Sequence, residues 1–191
     1  MSRLITLTLA AFLLVSSHQL LAAPERYTLD PTHTYLHFGI SHLGFSTMHG
    51  RFDQSSGHFM IDNAAKTASV KVNIESASIN TGLEKRDDHL RSPDFMNSVE
   101  FPVVTYQSTT VRFDGDKPYV IEGNLTLLGV TKPVTLTITG FKCGTNPMNN
   151  RAMCGMDAVG SMKRSDFGMT YALPGVGDEL KLIIEAEGYK D

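Results

Sequence analysis

Two residue types that often carry chemistry or report on binding are scarce in this chain. Tryptophan is absent, and the 191 residues include only two cysteines, Cys143 and Cys154. Ten residues separate the cysteines, so the CxxC spacing of a typical redox-active pair is missing. No cysteine directly follows the N-terminal apolar segment, so lipoprotein anchoring has no acceptor thiol. Without tryptophan, intrinsic Trp fluorescence cannot report ligand binding.

The chain also lacks an excess of basic residues. Arg3 is the one basic residue among the first 22, and the rest of the chain carries 16 basic and 20 acidic residues, with the basic ones scattered. A nucleic-acid-binding surface needs clustered Lys and Arg to neutralise phosphates. The composition therefore argues against a nucleic-acid partner.

A single long apolar run lies near the start of the sequence. Residues 4–15 carry no charge, they follow Arg3, and small residues close the segment at Ala22-Ala23. A membrane-spanning helix needs about 20 continuous apolar residues, whereas polar residues interrupt this run after about a dozen. We expect residues 1–22 to be a secretory signal peptide, cleaved after Ala22 or Ala23. Export would place the mature protein in the periplasm.

Residues 23–191 have the length of a single compact domain, and no linker, repeat or low-complexity tract divides them. In the oxidising compartment that a signal peptide implies, Cys143 and Cys154 are expected to form a disulfide across a turn-rich loop. Chain-entropy reasoning gives such a loop a stabilisation of about 3 kcal/mol. A redox-active pair is the alternative interpretation.

Short segments that alternate apolar and polar residues dominate the mature sequence. An apolar residue at every second position is typical of a strand with one buried face. The alternating segments are residues 35–42, 70–75, 119–127, 134–139 and 180–187. In the third segment, Tyr119 is expected on the same buried face as Ile121. Turn signals between the segments predict that consecutive strands are antiparallel neighbours.

One stretch breaks this pattern. Thr81 and Glu84 have the spacing of a capping box. The residues that follow are spaced at helical intervals and predict a short helix that ends near Arg91. Residues 92–94 look like a second cap with a first turn. About eight strands, one helical insert and no βαβ rhythm favour an all-β fold. A closed barrel is preferred to a sandwich, because closure removes exposed strand edges and eight strands can enclose one ligand.

Five histidines lie between residues 33 and 58, but their spacing does not suit a metal site. In a strand, His33 and His37 would stand about 13 Å apart, and His42 would point to the opposite face. We therefore expect no metal, although a fold-back that brings His42 near His49 or His58 is left open. The GxSxG elbow is also absent and the cysteines are assigned to a disulfide, so we assign no catalytic residue.

The predicted helix concentrates charge beside apolar residues. One interpretation is a solvated helix with local ion pairs. The other places Arg86, His89 or Arg91 at the mouth of the barrel, where they would donate hydrogen bonds to the polar head of a bound lipid.

A second charged and aromatic cluster covers residues 164–169. We interpret it as structural, with Arg164 paired to Asp166 to fix a turn and Phe167 closing one end. Gly168 would suit a bulge or a close backbone approach.

Several of these segments in series resemble the YceI-like family of exported, lipocalin-like polyisoprenoid-binding proteins. The similar stretches are HTYLHFGISHLGFSTMHGRF at residues 33–52, EKRDDHLRSPDFMNSVEFP at 84–102, GNLTLLGVTKPVTL at 123–136 and RSDFGM at 164–169. Their order matches and they extend over nearly the whole mature chain. The resemblance implies an eight-stranded antiparallel lipocalin-like barrel with a short helix alongside and no catalytic residues.

The resemblance also implies a ligand: an isoprenoid, quinone-like or fatty lipid held in an apolar pore, with no other cofactor. We expect the pore to be lined by Leu36, Phe38, Ile40, Phe45, Met48 and Phe52. We expect the mouth, with the lipid's polar head, at His42, Arg86, His89 and Arg91. Transient membrane contact and a homodimer are left open.

Two alternatives to a lipid carrier remain. One is a hydrolase or isomerase that acts on a lipid-like substrate through His89 or His42. The other is a packed structural module in which residues such as Leu36 and Ile40 form an ordinary core. Alternation in the sequence cannot distinguish a filled barrel from a hollow one.

Overall fold

The structure is a computed structural model that describes residues 23–191. The signal peptide predicted for residues 1–22 lies outside the described residues. Between residues 23 and 191, no helix is long and apolar enough to cross a membrane.

Strands account for most of the described chain. They are β1 (Glu25–Leu29), β2 (Tyr35–His42), β3 (Ser46–Phe52), β4 (Ser55–Asp62), β5 (Thr67–Glu75), β6 (Ile79–Asn80), β7 (Val103–Asp114), β8 (Lys117–Leu127), β9 (Val130–Thr145), β10 (Ala152–Lys163) and β11 (Val176–Lys190). The α-helix α1 spans Glu84–Arg91, and two short 3₁₀ helices span Ser76–Ser78 and Arg164–Phe167.

These strands close into an eight-stranded antiparallel barrel, as the sequence predicts. The ring runs β1, β4, β5, β7, β8, β9, β10, β11 and back to β1. β2 continues β1 as one bent strand, because both pair with β11: Leu29 lies opposite Gly188 and Tyr35 opposite Glu185. β3 and β4 form a second bent strand beside them. β6 adds a two-residue pairing to β3.

The barrel has two distinct ends. The helix end is formed by the β2–β3 turn, the segment around α1, the β8–β9 turn and residues 164–175. The disulfide end is formed by the β4–β5 and β7–β8 turns and by the β9–β10 loop at residues 146–151. Because the strands are antiparallel, successive turns alternate between these ends.

Two tight turns at the helix end have the same Leu-Gly sequence. Leu43 and Gly44 have φ values of 54° and 74°, and Leu128 and Gly129 have φ values of 52° and 73°. Glycine adopts this left-handed conformation readily, whereas leucine adopts it at a steric cost. Leu128 packs against the core. Leu43 is 58% exposed, so core packing does not explain its place in the turn.

In β8, the prediction that Tyr119 lies on the buried face is wrong. Pro118 pairs with Phe113 and Val120 pairs with Arg112, so Tyr119 is the extra residue of a β-bulge. The bulge shifts the alternation, and Tyr119 is 43% exposed rather than buried beside Ile121. A repeat of period two cannot reveal where a strand inserts a residue.

The predicted helix is confirmed, but its capping differs from the expectation. The residue before the helix, Leu83, makes no side-chain cap. Thr81 instead donates its backbone N–H and its hydroxyl to the buried carboxylate of Asp87. Residues 92–94 form a turn that is not followed by a second helix.

The predicted disulfide between Cys143 and Cys154 is present and joins facing positions of β9 and β10. Cys154 is fully buried in a small apolar cluster with Tyr27 and Ile61. The bridge therefore fastens two neighbouring strands at the disulfide end.

Candidate functional site

A cavity of about 430 Å³ occupies the interior of the barrel. Residues from all eight ring strands and from α1 line it, and most of their side chains are apolar. Among residues 23–191, no Asp, Glu or Lys belongs to the lining. The size and lining are those of a site for an apolar small molecule.

Five of the six residues predicted for the pore line the cavity. They are Leu36, Phe38, Ile40, Met48 and Phe52. Leu36, Phe38 and Ile40 share the inner face of β2, and their partners across the β2–β3 pair are Phe52, Gly50 and Met48. The alternation of apolar residues in the sequence predicted these positions, because β2 and β3 pair without a bulge and each keeps one face towards the interior.

The sixth residue predicted for the pore, Phe45, lies outside the cavity. Phe45 is 90% exposed and lies in the turn after Gly44, outside the cavity lining. Its N–H donates to the carbonyl of His42 at 3.0 Å, which closes the hairpin before β3 begins. The chain has already reversed at this residue, so the alternation of β2 does not extend to it.

Glycines allow aromatic rings to lie against the barrel wall. A Cβ on Gly50 would lie 2.5 Å from Cζ of Phe38, and a Cβ on Gly123 would lie 2.5 Å from Cζ of Tyr106. Each ring occupies the space that a larger residue would fill on the neighbouring strand. Rings held in this way leave the centre of the barrel open.

The hydroxyl of Tyr106 makes its hydrogen bonds to the wall. It donates towards the carbonyls of Ile121 and Val134, at 3.3 and 3.1 Å. Burial raises the pKa of Tyr106 well above its usual range, with a smaller contribution from the charge of Glu122. The phenol therefore stays neutral and satisfied, and the inner wall keeps its apolar character.

The cavity is closed at the disulfide end by a layer of aromatic and aliphatic side chains. Tyr27 stacks on Phe59 with ring centroids 4.9 Å apart. Ile61 and Cys154 are buried in the same cluster, and Phe141 packs against it.

The cavity opens at the helix end. The lining residues that are exposed to solvent are His42, His49, His89, Tyr171 and Ala172. His89, Tyr171 and the buried Phe95 form a mutual edge-to-face cluster with centroids 5.1 to 5.3 Å apart. Aromatic side chains therefore frame this opening, together with the end of β2.

Three of the four residues predicted for the mouth line the cavity: His42, Arg86 and His89. Arg86 donates to the hydroxyl and the carbonyl of Thr81, at 2.6 and 2.7 Å. Within the described chain, no carboxylate forms a direct ion pair with Arg86; the hydroxyl of Thr81 lies between it and the carboxylate of Asp87. His89 Nε2 lies 3.0 Å from a carboxylate oxygen of Asp94.

The fourth residue predicted for the mouth, Arg91, does not line the cavity. Its guanidinium donates to the carbonyls of Ala77 and Ile79, at 2.8 and 3.2 Å, and to Asp88 at 2.8 Å. Arg91 therefore joins α1 to the segment around β6 and does not belong to the cavity lining. Arg91 follows Arg86 by five residues, which places the two on different faces of the helix.

Arg164 belongs to the cavity wall, and its contacts differ from those expected. Its side chain is 1% exposed, lines the cavity and donates to the carbonyls of Gly177, Met169 and Val176 at 2.8 to 2.9 Å. The expected pairing with Asp166 is wrong, and no described carboxylate forms an ion pair with Arg164. Burial lowers the pKa of its guanidinium from the ordinary value. No signal in the sequence indicates that an arginine would bind only carbonyls.

The other two predictions for residues 164–169 concern Phe167 and Gly168. Phe167 is 2% exposed and belongs to the main core. Gly168 lies neither in a bulge nor at a close approach, since a Cβ there would meet nothing within 4 Å; with a φ of 85° it ends the second 3₁₀ helix. Asp178, rather than Asp166, fixes this turn by accepting hydrogen bonds from the N–H and hydroxyl of Ser165.

The polar groups at the opening do not form a catalytic arrangement with a nucleophile. Within the described residues, no hydroxyl or thiol hydrogen-bonds to His42 or His89, and both cysteines are in the disulfide. The described part of the chain contains no cluster of three His, Cys, Asp or Glu that could hold a metal ion.

The sequence matches a known protein family over most of its length. The sequence model of the YceI-like domain matches residues 27–188. The chain belongs to the YceI-like family. A UPF0312 protein of Pectobacterium carotovorum is 39% identical over 188 residues, which are 98% of this chain and 96% of the relative.

Solved structures share the architecture of this YceI-like chain. BcnA of Burkholderia cenocepacia superposes with a TM-score of 0.73 at 22% identity, over 83% of this chain and 98% of BcnA. A polyisoprenoid binding domain from Saccharophagus degradans superposes with a TM-score of 0.63 at 18% identity, over 86% and 98% of the two chains. At these identities the likeness establishes the fold alone.

Proposed function

We propose that this YceI-like protein is a carrier that holds the chain of a long isoprenoid or similar amphiphilic lipid inside its barrel. The observation that carries the proposal is the apolar cavity of about 430 Å³, closed at the disulfide end and open at the helix end. A polyisoprenoid binding domain shares the fold, which supports the same ligand class. Each buried CH₂ group contributes about 0.8 kcal/mol, so affinity rises with chain length until the cavity is full.

The ligand enters with its chain first and leaves its head at the helix end. The opening carries the polar groups of His42, Arg86 and His89, while the opposite end is apolar around Cys154. Arg86 and the buried Arg164 are both without an ion pair in the described chain, and no described acidic residue lines the cavity. Such a lining favours a head group that accepts hydrogen bonds.

The carrier acts in the periplasm. The predicted signal peptide and the disulfide between Cys143 and Cys154 both support an exported protein. A lipid tail costs free energy in water because its apolar surface is hydrated there. The barrel would shield that surface while the lipid is away from a membrane.

Catalysis is not part of the proposal. At the opening of the cavity His89 pairs with Asp94, but the described residues around them hold no nucleophile. Turnover of a candidate lipid that is abolished by His42→Gln or His89→Gln would favour a hydrolase or isomerase instead.

The direct test is native mass spectrometry of protein isolated from a periplasmic extract, followed by organic extraction. A carrier shows an added mass that is released as a lipid with a long apolar chain. A protein that is recovered without lipid, and that takes up none from a lipid extract, contradicts the proposal.

A further inference from the structure

We propose that the turn between β2 and β3 docks the open end of the barrel onto the surface of a phospholipid bilayer. Leu43 and Phe45 would enter the region between head groups and acyl chains. The inference rests on the proposed carrier function, because a bilayer is then the source or the destination of the ligand.

The exposure of this turn is the first observation. Phe45 is 90% exposed and Leu43 is 58% exposed, and the two residues flank Gly44. Tight hairpin turns usually carry Asn, Asp or Gly at positions with positive φ. Leu43 adopts a φ of 54° without the core contacts that support Leu128 in the equivalent turn. A Cβ on Gly175 would lie 3.2 Å from Cδ2 of Leu43, so one methyl group of Leu43 lies against Gly175. Most of the surface of Leu43 and Phe45 is nevertheless left in water, which points to a contact outside the protein.

Charge is the second observation. Residues 39–49, from the end of β2 through the turn into β3, contain no Asp or Glu. A bilayer with anionic lipids repels acidic side chains at its surface. The segment meets no such repulsion, and its apolar tip gains free energy by leaving water.

Continuity with the cavity is the third observation. His42, which lines the opening, directly precedes Leu43. Leu43 donates its N–H to the carbonyl of Gly175 at 2.7 Å, and the next residue, Val176, also lines the cavity. A bilayer that receives the turn would therefore lie beside the opening, and a lipid could pass between them with little exposure to water.

The two ends of the barrel differ in the expected way. At the disulfide end, the turns at residues 63–66, 115–116 and 146–151 are mostly polar or charged. Met148, in the last of these turns, is their one large apolar side chain and is 93% exposed. Its exposure is close to the 90% of Phe45, so it provides a matched control at the opposite end.

The absence of tryptophan makes a direct experiment available. Phe45→Trp and Met148→Trp each introduce a single Trp into residues 23–191. Vesicles of phosphatidylethanolamine and phosphatidylglycerol are expected to shift the emission of Phe45→Trp to shorter wavelength and to leave that of Met148→Trp unchanged. No shift for Phe45→Trp, or equal shifts for the two variants, overturns the proposal. A shift that grows with protein concentration before vesicles are added identifies a second copy as the occupant, and also overturns it.

A flotation assay with charged variants measures the contribution of the turn. Phe45→Asp is expected to lower vesicle binding at least about tenfold, since burying a Phe side chain stabilises by about 1.5–3 kcal/mol. Met148→Asp is expected to bind like the wild type. Equal losses for both variants contradict docking through the β2–β3 turn.

Native mass spectrometry of the same variants separates docking from lipid carriage. Phe45→Asp is expected to retain lipid, because Phe45 lies outside the cavity. Lipid in the cavity without vesicle binding by the wild type would refute docking alone. Vesicle binding through Phe45 by a protein that never holds lipid would refute the carrier function and leave docking intact.

Discussion

Replacing Gly123 by alanine is expected to destabilise the barrel and to narrow its cavity. A Cβ at this position would lie 2.5 Å from Cζ of Tyr106, 2.6 Å from its hydroxyl oxygen and 2.8 Å from the backbone carbonyl of Gln107. The carbonyl belongs to the β7–β8 pairing and cannot retreat easily, so the ring must move. Movement breaks the hydrogen bonds from Tyr106 to Ile121 and Val134 and turns the ring towards the ligand space.

The size of this effect follows from two contributions. Overpacking in a core costs about 1–3 kcal/mol, and the loss of a buried hydrogen bond costs about 1 kcal/mol. Together they lower the free energy of unfolding by about 2–4 kcal/mol. For a protein of this length, that corresponds to a decrease in Tm of about 4–16 °C.

Thermal unfolding followed by circular dichroism measures the effect, and the chain offers a matched control. Gly144→Ala makes the same chemical change in β9, where a Cβ meets nothing within 4 Å, and is expected to leave Tm unchanged. Adding Tyr106→Leu to Gly123→Ala should cost less than the two single changes together, because the clash with the ring is removed and only the contact with the carbonyl of Gln107 remains. A Gly123→Ala protein that melts at the wild-type temperature would refute the role of the glycine in seating the ring.

Three further changes test the supporting structure. Replacing Cys143 and Cys154 by alanine should lower stability by about 3 kcal/mol, because the unfolded chain loses a closed loop; a reductant should lower the Tm of the wild type but not of this variant. Arg164→Met should lower the unfolding free energy in urea by about 2–3 kcal/mol, because one buried and two partly buried carbonyls lose their donor; a value equal to that of the wild type would show that water replaces the guanidinium. The backbone N–H and the hydroxyl of Ser165 lower the pKa of Asp178, so its ionised form stabilises the fold above about pH 4 and this contribution is lost as the pH falls through the lower, folded-state value. Asp178→Asn should therefore show a shallower loss of stability below about pH 4 in urea unfolding, and an unchanged acid limb would contradict the assignment.

The barrel was predictable because alternation of apolar and polar residues is a local pattern that recurs in strand after strand. The β2 pattern of Leu36, Phe38 and Ile40 needs only the geometry of a strand, and the structure follows it. The disulfide was predictable from the number and spacing of the cysteines. The pattern failed where the backbone leaves regular pairing, at the turn residue Phe45.

The state of the cavity depends on contacts between distant residues. Tyr106 lies over Gly123 through a cross-strand contact that no alternation reports. Arg164 similarly finds two of its three carbonyl partners on β11, so its nearest acidic neighbour in sequence, Asp166, was a misleading choice. A pattern of apolar residues indicates which face is buried, whereas side-chain packing across strands decides whether that interior is filled or hollow.

The central claim is that the interior of the barrel holds a lipid chain, and neighbouring isoleucines on β11 test it most directly. Ile184 lines the cavity opposite Leu36 and Ala158, whereas Ile183 is 42% exposed on the outer face. Ile184→Trp fills ligand space and Ile183→Trp makes the same change outside it. Native mass spectrometry of protein purified from cells should find lipid in Ile183→Trp as in the wild type, and reduced or absent in Ile184→Trp. Equal lipid content in the two variants would contradict binding inside the barrel.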